Sequence, residues 1–188
     1  MVVAPALLKL TYEDFLGFPE DGNRHELLDG DHFVTPAPVP RHQRLVLRLA
    51  FALEAAQRTH RLSAQVFPAP IDVVLSPHDV VEPDLVVLRE GSSAEVTDTC
   101  IEGAPDLVIE VLSDGTRKRD ETTKRHLYER HGVTEYWIVD PVLESVKVYR
   151  RDGDRFAPPL LFENEAGGVL QTVVLPGLAL ELGELFGA

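Results

Sequence analysis

Cysteine is nearly absent from this chain of 188 residues: Cys100 stands alone, which rules out an intrachain disulfide and a cysteine metal cluster. No apolar run approaches the length needed to cross a bilayer, and Met1 to Leu8 lacks the cationic start and cleavage pattern of a signal peptide. The expectation is therefore a cytoplasmic protein with no membrane association. An excess of positive charge is also missing. The formal net charge is -13, whereas a nucleic-acid binder ordinarily carries a basic face, because neutralising phosphates releases counterions and supplies most of the affinity. Cations do cluster locally: Arg41 lies near Arg44, and Arg117, Lys118, Arg119, Lys124, Arg125 and Arg130 crowd one short stretch. On charge alone such a run reads as a solvated helix face.

What is present is enough apolar residue, 44% of the chain, for one domain spanning residues 1–188 with its own core. Thr11 begins a short helix, with Glu13 and Asp14 in its first turn. From Glu26 the pattern changes to strand, an Asp29-Gly30 turn, and strand again through Phe33 and Val34. Pro36, Pro38 and Pro40 force a loop. Leu45, Leu49, Leu53 and Ala56 then recur at helical spacing, which predicts a helix from Arg41 to about Thr59.

The middle of the chain predicts strands at 64–67, 71–75, 84–88 and 106–112, with a polar loop from Glu90 to Pro105. Leu85 to Leu88 and Leu107 to Ile109 are continuously apolar, as expected of central strands covered on both faces. A charged helix is predicted from Thr116 to His131, ending at Gly132. After it come a buried strand at 136–139, a hairpin of 146–150 with 156–162 about Asp152-Gly153, and a closing strand and turn from Val173 to Leu182. No internal repeat is present.

Most acidic residues fall in turns or beside basic neighbours. Asp84 and Glu110 do not: Asp84 opens one apolar strand, and Glu110 lies between Ile109 and Val111 inside another. A carboxylate there is costly to desolvate unless a cation, hydrogen bonds or water compensate, the alternative being an exposed sheet face or edge. Two carboxylates on neighbouring strands would form an oxygen site suited to Mg2+ or Mn2+. Histidine offers no zinc alternative. His25-Glu26 begins like a zincin motif, but residue 29 is Asp, and His126 and His131 are five apart and share no helical face. Asp120, Lys124 and Tyr128 line one helical stripe; Lys124 there is either a solvent-facing ion-pair partner or an ammonium directed at the carboxylates.

Glu26-Leu-Leu-Asp-Gly30, Arg41-His-Gln43, Glu82-Pro-Asp-Leu85, Ala104-Pro-Asp-Leu-Val-Ile-Glu-Val-Leu-Ser113, the Asp120 and Lys124 helix, Glu135-Tyr-Trp-Ile-Val-Asp-Pro141 and Leu175-Pro-Gly-Leu178 occur in an order that covers nearly the whole chain. In this the sequence resembles the Uma-two family of restriction-endonuclease-like proteins, within the PD-(D/E)XK nuclease superfamily. The resemblance implies an α/β fold: a restriction-endonuclease-like mixed β-sheet flanked by helices, here with extra antiparallel strands at the C-terminal end. It implies Asp84, Glu110 and Lys124 as the catalytic set, with Asp84, Glu110 and Glu26 at the metal. The second half-motif would place lysine where this chain has Leu112, so Lys124 on the following helix takes that role. Asp120 would orient Lys124, and His42 would touch phosphate or water. The implied reaction is Mg2+- or Mn2+-dependent hydrolysis of DNA, with no organic cofactor, and two-strand cleavage is most simply achieved by a homodimer, for which Val173 to Leu185 is a candidate surface, the alternative being an edge strand packed on its own core. Two other readings stay open: a catalytically inactive nuclease-like module that binds a protein partner, favoured by the negative charge, and a metal-dependent hydrolase of another substrate.

Overall fold

The computed structural model describes residues 8–187. A single helical turn, α1 (Tyr12–Phe15), is capped by Thr11 in a capping box with Asp14. A hairpin follows, β1 (Arg24–Leu28) and β2 (Asp31–Thr35), in antiparallel register with Leu28 opposite Asp31. Its two-residue turn needs left-handed backbone at both positions, and Asp29 (φ 53°) and Gly30 (φ 77°) supply it. The long helix α2 (Pro40–His60) starts with proline in its first turn, where no amide donor is required, and buries Leu45, Leu49, Leu53 and Ala56.

The strands after α2 are β3 (Ala64–Pro68), β4 (Val73–Ser76), β5 (Asp79–Val81), β6 (Leu85–Arg89), β7 (Glu95–Val96), β8 (Ile101–Glu102) and β9 (Leu107–Val111). The segment expected to be a polar loop thus holds two short strands. The expected continuous helix is divided into α3 (Arg117–Arg119), a wider π turn at Asp120–Lys124, and α4 (Arg125–His131). α4 ends on Gly132 in left-handed conformation, φ 95°. Then come β10 (Glu135–Asp140), β11 (Ser145–Asp152), β12 (Arg155–Phe156), β13 (Leu160–Glu163), β14 (Val169–Leu170), β15 (Leu180–Glu181) and α5 (Leu182–Phe186).

The central sheet runs β12-β11-β10-β9-β6-β3, with β13 also on β11; β9 and β10 are parallel and the other pairs antiparallel. A second sheet, β2-β1-β5-β4-β8-β7, covers part of it. Alternation along the central strands sorts side chains into two cores. Leu85, Val87, Leu107, Ile109, Val111, Trp137 and Val139 pack with α2 and the C-terminal segment. Val86, Val108, Tyr136 and Ile138 pack on the other face with Val73, Val81, Ile101, Leu127 and Tyr128. Asp84 and Glu110 belong by alternation to that second face.

The expected closing strand from Val173 to Leu182 is reduced to two residues, β15. Val174, Leu175, Leu178, Leu180, Leu182 and Leu185 are buried in the first core, so these side chains pack on the chain's own α2 and central sheet. Among the described residues no helix is long and apolar enough to cross a membrane.

Candidate active site

Leu85 pairs with Ile109 across the antiparallel β6–β9 ladder, so one step further Asp84 and Glu110 stand opposite each other on the same face. Both are buried, and both line a cleft of about 510 Å³ with Glu26, His42, Asp120 and Lys124. The structure therefore brings together all six residues expected from the sequence. β1 contributes Glu26, the first turns of α2 contribute His42, and the π turn contributes Asp120 and Lys124.

Lys124 is directed inward. Its Nζ lies 2.6 Å from Glu26 Oε1 and 2.8 Å from Glu110 Oε1, against 3.9 Å from Asp120 Oδ1. Glu26 and Glu110, more than Asp120, thus hold the ammonium. Burial alone would lower the Lys124 pKa, but the Glu110, Glu26 and Asp120 carboxylates outweigh it and raise it, so the amine stays charged. Glu110 Oε1 also accepts from the Tyr128 hydroxyl at 2.9 Å. Burial pushes the Glu110 carboxyl up to about 8, with Asp120, Asp84 and Glu26 adding to the shift and Lys124 opposing it. Asp120 is raised as well, by burial first, and its Oδ1 is buried without a hydrogen-bond partner.

Asp84 has a different environment. Arg24 Nη1 donates to its Oδ1 at 2.7 Å, while Oδ2 accepts from the Val111 amide at 2.8 Å and lies 3.0 Å from His42 Nε2. Burial would raise this carboxyl; His42, Arg24 and the Val111 N–H outweigh it and hold it below the usual range. His42 therefore faces Asp84, and its Nδ1 is buried without a partner. Its Nε2 is thus engaged by Asp84, while the ring still lines the cleft.

Arg24, Arg119 and Glu82 were not expected at the site. Arg119 reaches Glu26 Oε2 at 3.4 Å and the Thr35 hydroxyl at 2.7 Å, and Arg24 lies 3.7 Å through Nε from Glu82 Oε1. The cationic stretch, which on charge alone reads as a solvated helix face, is largely neutralised within the protein: Arg117 makes two bonds to Asp140, at 2.6 and 3.1 Å, and Arg130 pairs with Asp79 at 3.0 Å. Among the described residues no group of three or more His, Cys, Asp or Glu side chains forms a metal shell by itself. The donor chemistry nevertheless fits a hard divalent cation, since Asp84, Glu110, Glu26 and Asp120 line one cleft with carboxylate oxygens.

Comparison with known proteins agrees with this architecture. A crystal structure titled as that of a putative nuclease belonging to DUF820, from Anabaena variabilis ATCC 29413, superposes with a TM-score of 0.78 at 22% identity, covering 94% of this chain and 97% of that one. No curated protein matches the chain. The family model described as "Putative restriction endonuclease" matches residues 12–183, and the chain belongs to that family, Uma2.

Proposed function

We propose that this protein is a Mg2+- or Mn2+-dependent phosphodiester hydrolase acting on DNA, with its chemistry at Asp84, Glu110 and Lys124. The observation that carries the reading is that Asp84, just before β6, and Glu110 on β9 line one cleft, with the Lys124 ammonium 2.8 Å from Glu110. Asp84 and Glu110 would hold the cation, with Glu26 beside them. When bound, such a cation lowers the pKa of a water molecule and offsets charge on the scissile phosphate. Lys124 supplies a fixed positive charge next to Glu110, where it orients the attacking water and steadies charge developing on phosphate. Glu26 keeps Lys124 in place from the opposite sheet. Arg119 in turn pins Glu26.

The test is incubation of plasmid with the purified protein and Mg2+ or Mn2+. Nicking or linearisation that disappears in Asp84→Asn and in Lys124→Met supports the proposal; cleavage retained in Asp84→Asn refutes it. The asparagine keeps one acceptor oxygen, enough for Arg24 or for the Val111 amide but not for both, so circular dichroism of the variant is needed to separate loss of activity from loss of fold. Cutting both strands with one site per chain is most simply achieved by a twofold dimer, and sedimentation at micromolar concentration tests that step. We place the protein in the cytoplasm as one domain.

A second reading, a nuclease-like module that binds a protein partner without cleavage, is favoured by the net charge of -13. Four cations line the cleft, Arg24, Arg41, Arg119 and Lys124, and each is paired with a carboxylate. No cleavage with either metal, together with intact metal binding, would favour this reading.

A further inference from the structure

Both oxygens of Asp84 are engaged by the protein. Oδ2 is held by the Val111 amide and His42, which belong to the sheet and to α2, so it is fixed by the fold. Oδ1 is held by one flexible side chain, Arg24 of β1, at 2.7 Å. Any cation that uses Oδ1 has to exchange with that guanidinium. A second acceptor lies ready for it. Glu82 Oε1 is buried, has no hydrogen-bond partner, and sits 3.7 Å from Arg24 Nε; the Glu82 carbonyl already accepts from Nη1 at 3.4 Å. An unpaired buried carboxylate oxygen is costly, so a small movement of the fork toward Glu82 satisfies one acceptor as it releases another.

We propose that Arg24 is an exchangeable positioning residue, whose guanidinium occupies Asp84 Oδ1 and transfers to Glu82 when a divalent cation takes that oxygen. The inference rests on the metal-dependent reading above and deepens it. Arg24 and the cation compete for one carboxylate oxygen, and Glu82 sets how easily Arg24 yields. Two opposite effects on metal affinity follow. Removing the competitor tightens metal binding, and removing the landing place weakens it.

The experiment is calorimetric titration of Mn2+ into the full chain and its variants, each first shown to be folded by circular dichroism; it requires no cleavage. Arg24→Gln is expected to bind Mn2+ about ten- to a hundredfold more tightly, the span that one charge-assisted hydrogen bond commands. Glu82→Gln is expected to bind it more weakly than the unaltered protein. Arg41→Gln removes a cation that lines the same cleft but pairs with Glu144 rather than with a carboxylate of the site, and is expected to change affinity far less. Should Arg24→Gln fail to fold, Arg24→Lys replaces it, with a smaller gain because a shorter point charge competes less well. Unchanged or weaker binding in the Arg24 variant overturns the proposal, as does an equal gain in Arg41→Gln, which would reduce the effect to general electrostatics. If the unaltered protein binds Mn2+ and only the expected differences are missing, the exchange fails while the metal site stands. If no protein in the series binds Mn2+, the metal site and the exchange fall together.

Discussion

Replacing Lys124 by methionine keeps most of the side-chain volume and removes the charge. Nζ bonds Glu26 Oε1 at 2.6 Å and Glu110 Oε1 at 2.8 Å, so its loss leaves two buried carboxylate oxygens facing each other. Where both are ionised, above the value of about 8 to which Glu110 is already pushed, two charges roughly 5 Å apart repel by about 3 kcal/mol at an effective dielectric of about 20. Removing one partner of a buried ion pair typically costs about 3–5 kcal/mol, which agrees. For a chain of this size about 2–4 °C of melting temperature is lost per kcal/mol, giving a fall of roughly 6–20 °C. Calorimetry on Lys124→Met checks it. Acid should reduce the deficit, because protons neutralise the carboxylates that the variant leaves unpaired, so the gap in melting temperature is expected to be smaller at pH 5 than at pH 8. A variant within about 1 kcal/mol of the parent above the Glu110 value of about 8 would refute the reasoning, since such a cost is typical of a solvent-screened pair. Rate loss has to be measured below the melting point of the variant.

Asp79 accepts from the Asp29 amide at 2.8 Å, Ser76 Oγ at 2.7 Å and Arg130 at 3.0 Å, with His131 Nε2 also at 3.0 Å. Burial would raise its pKa, but these partners hold it well below the usual range; the stability they contribute is present above the unfolded pKa and is lost as pH falls through the folded one. Asp79→Asn should therefore cost about 1–3 kcal/mol at neutral pH and flatten the acid limb of a denaturation series below about pH 4. Leu49→Ala should cost about 2–5 kcal/mol by urea denaturation, because Leu49 is fully buried, whereas Leu47→Ala on the exposed side of α2 should stay within about 0.5 kcal/mol. Arg117→Ala should lower stability by about 1 kcal/mol while leaving the salt dependence of DNA binding nearly unchanged, since Arg117 already serves Asp140.

Local rules account for much of the fold. Leucine spacing marked α2, Asp29-Gly30 marked the first hairpin, and the continuous apolar runs marked β6 and β9 as strands covered on both faces. Where the outcome depended on tertiary contact, the sequence was mute. No proline or glycine announces the break at Asp120–Lys124; the wider turn accompanies burial of both Asp120 and Lys124, which an exposed charged helix would not require. Arg24 was overlooked because its partner Asp84 is 60 residues away. The alternating leucines of the C-terminal segment could have faced solvent or core, and only the packing against α2 decides that they face the core. The rule that singled out Glu110 is also less discriminating than it looked. Glu135 is at least as buried, yet its oxygens are taken by Trp137 Nε1, the Thr172 hydroxyl and the Val173 amide, and it fastens the C-terminal segment to β10. What separates the two glutamates is the open cleft beside Glu110.

The distribution of charge bears on how the proposed substrate would approach. Arg24, Arg119 and Lys124 are turned inward onto Asp84, Glu26 and Glu110, and Arg117 and Arg130 are spent on Asp140 and Asp79. These cations are thus committed to acidic partners and are not free to attract a polyanion. At the cleft, moreover, Val39 and Val142 are 64% and 71% exposed, so part of its mouth is apolar. Counterion release can then supply little of the affinity for DNA, and a weak dependence on monovalent salt is expected in a binding assay. Divalent cation has a larger part in such a site than in a basic one, because it offsets the phosphate charge and the carboxylate surplus together. Productive binding of DNA should therefore depend on divalent metal even where cleavage is blocked by Asp84→Asn or Lys124→Met, though less strongly in Asp84→Asn, which removes one ligand. Tight, steeply salt-dependent DNA binding without any divalent cation would show that phosphate recognition resides on another surface.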